Sequence, residues 1–260
     1  MKKKLDTTDA HGFHLSKAPL ERVLCQARWE QLSRFDSGSV AEVAAKLATV
    51  IGDDYPFGQG QQEMQVTISP AGVTQQPGGM IHKFQSADRR WTATLSHMFI
   101  ALETSRYTDH TEFIDKFGAL FDALLSVVKI PSLTRLGYRY TNRLTESEDM
   151  PPKLMDYFVP SILGGLGDNS SQVVQTVCET LHKQGGKYLM VRSGLLQPGA
   201  VIDPSLSPVR DKSWVIDLDA YEESASIDVA EIRDKAVGLS ALASDHFRTL
   251  LTEQGLERFQ

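Results

Sequence analysis

Two distant stretches of this chain follow the same pattern. Trp91 opens an alternating strand, Trp91-Thr-Ala-Thr-Leu95, and Trp214 opens another, Trp214-Val-Ile-Asp-Leu218. Each leads through a turn region into a long amphipathic helix that begins Asp-x-x-Glu, at Asp109–Glu112 and at Asp228–Glu231. In such a box the first side chain accepts a hydrogen bond from a free N–H of the first helical turn. A unit repeated on this scale constrains architecture more than any single motif, because each copy must bury its apolar faces against its own neighbours. It names no reaction.

The rest of the chain fits that pattern. Residues 19–30 alternate as a strand, with Glu21, Val23, Cys25, Ala27 and Trp29 on one face and Arg22, Leu24, Gln26, Arg28 and Glu30 on the other. Ser39–Glu42 is a capping box, and the helix behind it carries the stripe Val40, Val43, Ala44, Leu47, Val50 and Ile51. Short strands follow at 64–69, 80–86, 91–95 and 98–102, punctuated by Pro70-Ala-Gly72 and Pro77-Gly-Gly79. The spacing of Phe113, Ile114, Phe117, Leu120, Phe121, Leu124, Leu125 and Val128 predicts a helix over 111–128. A second strand, 132–144, then restarts the order. A shorter helix is expected over 150–159, a hairpin across Gly185-Gly186, a Pro-rich excursion over 197–212, and a last helix over 229–254. The expected fold is therefore α+β: two tandem β-α-β(3-4)-α repeats, residues 18–130 and 131–260, packed as one unit behind a flexible tail at 1–17. They form an extended antiparallel sheet with helices on one face, in a TATA-box-binding-protein-like arrangement. The alternative is two separately packed ferredoxin-like or helix-grip domains.

With 27 Lys and Arg against 33 Asp and Glu, the net charge is −6. An affinity of the whole surface for nucleic acid is excluded by that balance, although a local basic patch is not. Cys25 and Cys178 have no CxxC partner and are expected to be reduced, buried thiols. The start, Met1-Lys-Lys-Lys, lacks the apolar stretch of a secretory signal, and no window reaches the ~20 apolar residues of a membrane span. The expected location is cytoplasmic, with no membrane contact.

Chemistry-bearing residues concentrate on the two leading strands. In 133–144, Thr134, Leu136, Tyr138, Tyr140, Asn142 and Leu144 share the face expected to meet the helices, while Arg135, Arg139 and Arg143 project from the other. Arg22, Gln26 and Arg28 echo them on the first strand. Two readings compete. Either these residues grip a carboxylate- or phosphate-bearing partner, or the arginines are satisfied by the protein's own acids, such as Glu21, Glu30 or Asp217. In the first reading an Arg139→Ala/Arg143→Ala variant folds but loses partner binding; in the second it loses folding. Other signals are thin. His11 and His14 form an H-x-x-H pair in the tail, and Gly164-Gly165-Leu166-Gly167 lacks the Lys-Ser/Thr of a phosphate loop. Asp217 and Asp219 share a strand face and read as solvent-facing acids. Trp29, Trp91 and Trp214 read as core or rim residues.

Several segments in order resemble a sporadically distributed bacterial protein family with no assigned activity. They are Pro19-Leu-Glu-Arg-Val-Leu24, Tyr55-Pro56, the Trp91 strand with Leu102 and Tyr107, Arg139-Tyr140-Thr-Asn142-Arg143, and His246-Phe247 through Thr252-Glu253. The resemblance implies no cofactor and no catalytic residue. Its scattered distribution is that of mobile or phage-defence gene cargo. The expectation is a binding or adaptor protein that engages a protein partner through an open sheet face or edge, as a monomer or homodimer. The alternatives are a ligand binder or enzyme with a cavity between helices and sheet, and a nucleic-acid binder with an Arg-lined saddle.

Overall fold

A computed structural model describes residues 17–32, 39–69, 72–167, 172–203, 205–223 and 227–260, with side chains 39 and 63–78 left aside. The tail, with its His11–His14 pair, lies outside the described residues. Among the described residues nine strands make one antiparallel sheet: β1 (Leu20–Arg28), β2 (Phe57–Ser69), β3 (Gly72–Gln85), β4 (Trp91–Leu95), β5 (Phe99–Thr104), β6 (Arg135–Thr145), β7 (Thr176–Gln184), β8 (Lys187–Leu196) and β9 (Ser213–Glu223). Their spatial order is β2-β3-β4-β5-β1-β6-β9-β8-β7. The described residues also form five α-helices: α1 (Ser39–Ile51), α2 (His110–Val127), α3 (Pro160–Leu163), α4 (Val229–Thr249) and α5 (Glu253–Phe259). The fold is α+β, and no described helix is long and apolar enough to cross a membrane.

The core lies between the sheet and the long helices. On α2, Phe113, Ile114, Phe117, Leu120, Phe121 and Leu124 are buried, as their spacing requires. Phe113 meets Tyr138 of β6 edge-on at 5.3 Å, and the Tyr140 hydroxyl meets Ser240 of α4 at 2.7 Å. Both helices therefore sit on the face that Leu136, Tyr138 and Tyr140 share. Burying one such Phe or Leu side chain contributes roughly 1.5–3 kcal/mol. Two of the expected caps form, with Asp109 accepting from the Glu112 amide and Asp228 from the amides of Ala230 and Glu231, while the Ser39 side chain lies outside the described residues. Trp29, Trp91 and Trp214 are all buried. Cys25 is buried and Cys178 half-buried, both as free thiols.

Four expectations about individual elements fail. Pro77-Gly-Gly79 does not separate strands. β2 and β3 form one long hairpin, and Pro77 lies beside a register shift and beyond the part of β3 that β4 covers, where a missing N–H is tolerated. The helix over 150–159 is absent. Only a 3-10 turn at Leu154–Asp156 forms, because Phe158 is drawn into an isolated bridge with Leu251 and packs on Trp214 and Phe259. The last helix breaks at 250–252, where Thr252 caps α5 by accepting from the Gly255 amide. Val50 is 53% exposed rather than buried and lines an open groove between α1 and α2.

Candidate functional site

β1 and β6 pair in the middle of the sheet, with Arg28 opposite Arg135, Gln26 opposite Gly137, Leu24 opposite Arg139 and Arg22 opposite Thr141. Directly opposed residues share a face. Arg22, Gln26, Arg28, Arg135, Arg139 and Arg143 therefore lie together on the face away from the helices, as the alternation predicts. Glu21 does not follow the alternation. A register shift between Leu20 and Arg22 places two β1 residues where one would sit, as at a β-bulge. It brings Glu21 Oε2 to 2.8 Å from Arg143 Nε.

Four of these five arginines, Arg22, Arg135, Arg139 and Arg143, are paired with this chain's own acids. Arg139 donates from Nε to Asp217 Oδ1 at 2.6 Å and from Nη2 to Oδ2 at 2.8 Å, a bidentate fork. Asp217 is fully buried and also accepts from the Thr141 hydroxyl at 3.0 Å; Arg192 lies 3.7 Å away. Asp217 is thus not solvent-facing, since guanidinium groups surround its carboxylate. Arg135 Nη2 donates to both oxygens of Asp219 at 2.8 Å. Of the acids expected as partners, Asp217 pairs with Arg139 and Glu21 with Arg143.

The remaining partners arrive from far along the chain. The excursion over 197–212 returns as a strap across this face. Asp203 on the strap meets Arg139 Nη1 at 2.5 Å and Arg22 Nη2 at 3.4 Å, Ser205 Oγ accepts from Arg22 Nη1 at 2.7 Å, and the Ser207 carbonyl accepts from Arg143 Nη1 at 2.9 Å. Burial alone would raise the Asp203 carboxyl. Arg139, the Ser205 amide and hydroxyl and Arg22 outweigh it and hold the group down to about 2. Glu21 shows the opposite balance: burial pushes its carboxyl up despite Arg143 and Arg22. Arg22 Nε, Arg143 Nε and Nη2, and Glu21 Oε2 are buried without an aligned hydrogen bond, so packing at this end of the seam leaves polar capacity unused.

Beside the strap the same face carries a ladder. Lys183 of β7, Tyr188 of β8, Tyr221 of β9 and Gly137 of β6 stand directly opposite one another in turn. Tyr188 and Tyr221 stack at 5.1 Å, Lys183 lies 5.0 Å from the Tyr188 ring, and Arg135 lies 4.3 Å from the Tyr221 ring. Arg135 reaches that ring because Gly137 has no side chain; a Cβ there would meet Arg135 Nη1 at 2.5 Å. Across the seam, Arg28 is exposed and sits 5.9 Å from the Phe99 ring, while Gln26 is half-buried opposite Ala101.

On the helix face three tyrosines cluster. The hydroxyls of Tyr107 and Tyr140 are 3.1 Å apart, and burial raises all three of Tyr107, Tyr138 and Tyr140 above the usual phenol range. Burial likewise pushes the Cys25 thiol well up, which leaves it inert as a nucleophile. A cleft of about 530 Å³ lies between α4 and the β7–β8 hairpin, lined by Lys187, Asp245 and His246 among others. Burial first, and His182 second, lower the His246 pKa. Among the described residues no group of three His, Cys, Asp or Glu side chains could hold a metal ion. No protein-family model matches the chain, and no curated protein matches it.

Proposed function

We propose that this is a binding or adaptor protein that holds a protein partner on the sheet face away from its helices. The observation that carries the reading is the surface beside the strap, where Arg28 is exposed and Gln26 and Phe99 of adjacent strands are half-buried. Arg28 on that surface, with Lys83 farther out on β3, favours a partner that brings acidic side chains to an otherwise acidic protein. In this reading Gln26 and Arg28 touch the partner, Arg135 sits at the rim, and Arg22, Arg139 and Arg143 shape the face through their bonds to the strap. We read the sheet as two tandem modules, residues 18–130 and 131–260, joined at β1 and β6. The support is the strand order, which runs outward from that seam as β5-β4-β3 on one side and β9-β8-β7 on the other. The setting implied by the family resemblance is a bacterial defence or toxin-regulating system in the cytoplasm.

Two other readings rank lower. A nucleic-acid platform needs free aromatic faces for base stacking. Here the faces of Tyr188 and Tyr221 already meet each other, Lys183 and Arg135. A small-ligand site in the cleft beside α4 has Lys187, Asp245 and His246 in its favour. The test is capture from cells that carry the gene, comparing wild type with Gln26→Asp/Arg28→Glu. The expected result is a partner retained by wild type and lost by a variant whose melting temperature is unchanged. Equal retention, or no partner at all, refutes the reading.

A further inference from the structure

Among the described residues β7 is an outer strand of the sheet, with no further strand paired to its free edge. Val177 and Leu181 on it are 53% and 50% exposed, and Val174 just before it is 62% exposed. The strand has nine residues and no proline. Unpaired strands of this length are normally blunted, because their free N–H and C=O groups template pairing with another chain.

The direction of those free groups follows from the turn. β7 and β8 are joined by Gly185 and Gly186, with φ of 54° and 84°, between the paired residues Gln184 and Lys187. A two-residue loop of this kind makes its flanking pair a hydrogen-bonded one. Hydrogen-bonded pairs recur at every second residue. Gln184, His182, Thr180 and Cys178 therefore turn their backbone groups toward β8. Lys183, Leu181 and Glu179 turn theirs outward, and their side chains share the face away from the helices, where Glu179 meets Arg192 at 2.6 Å.

We infer that the protein forms a two-fold dimer in which β7 pairs antiparallel with β7 of a second copy, centred on Leu181. In that register the outward backbone groups of each strand face those of the other. Leu181 meets Leu181, flanked on each side by the Met190 that already stands opposite it on β8. Glu179 of each copy meets Lys183 of the other, twice by symmetry. The neighbouring two-fold registers put Glu179 on Glu179 or Lys183 on Lys183, so charge selects the one centred on Leu181. The dimer joins both sheets into one continuous surface and leaves the Arg28 face open, so it stands independently of the partner proposed above.

Sedimentation velocity over a dilution series of the full chain tests this. Wild type is expected to pass from dimer to monomer on dilution. Lys183→Glu and Glu179→Lys each create two like-charge contacts and should each weaken self-association about ten-fold or more. Mixed one to one, the two variants restore both opposite-charge contacts, and a heterodimer of near wild-type affinity should form. That rescue separates an interface effect from damage to the strand. A wild type that stays monomeric throughout, variants that dimerise like wild type, or a mixture that fails to associate each overturn the inference.

Discussion

Replacing Arg139 with Ala tests the ion-pair network most directly. The substitution removes two donors from Asp217, at 2.6 and 2.8 Å, and the 2.5 Å contact to Asp203. Asp203 keeps Arg22 and Ser205, but Asp217 is fully buried and retains only the Thr141 hydroxyl at 3.0 Å and Arg192 at 3.7 Å. Stranding one member of a buried ion pair destabilises by about 3–5 kcal/mol. The remaining Thr141 and Arg192 contacts put the expected loss at the lower end, about 3 kcal/mol. At about 2–4 °C per kcal/mol for a chain of this size, the melting temperature should fall by about 6–12 °C. Urea unfolding followed by the fluorescence of the buried tryptophans gives the free-energy difference. The companion variant Arg139→Leu/Asp217→Leu removes both charges and should recover at least half of the loss, because the pair's attraction mainly offsets its own desolvation. If Arg139→Ala unfolds within about 0.5 kcal/mol of wild type, or the double variant is no more stable than the single one, Asp217 is not held as described. By the same reasoning Arg139→Ala/Arg143→Ala loses stability before any binding effect can be read.

Other expectations follow from single contacts. Asp203 titrates at about 2 rather than 3.8, so it adds stability that is complete above pH 3.8 and disappears as pH falls toward 2. Asp203→Asn should therefore cost about 2 kcal/mol at pH 7, and its denaturation midpoint should converge on wild type as pH drops through that window. Gly137→Ala should displace the Arg135 guanidinium from Asp219 and the Tyr221 ring, with a loss of about 1 kcal/mol in urea titration; an unchanged midpoint would place Arg135 elsewhere. Asp228→Ala removes the acceptor for two amides at the start of α4 and should cost about 1 kcal/mol. Asp228→Asn should restore most of that loss.

Much of this protein was legible along the chain because the signals are local. Apolar spacing placed α2, the Asp boxes placed the starts of α2 and α4, and two-residue alternation put Arg22, Gln26, Arg28, Arg135, Arg139 and Arg143 on one face. Alternation also put Asp217 and Asp219 together, but which face of β6 they would oppose depends on a register 78 residues away in sequence. Two of the misread segments share one cause. Phe158 left its helical pattern for a bridge to Leu251, and Glu21 left its expected face at a register shift, both for partners that no local window contains.

By itself the sequence determined which side chains can share a face and where helices begin, since backbone geometry repeats every 3.6 or 2 residues regardless of what lies across. Only the tertiary structure decided that Arg22, Arg135 and Arg139 meet Asp217, Asp219 and the returning Asp203 rather than solvent. A buried guanidinium can be satisfied by any well-placed carboxylate, and strand register together with the path of the strap determines which carboxylate stands within reach.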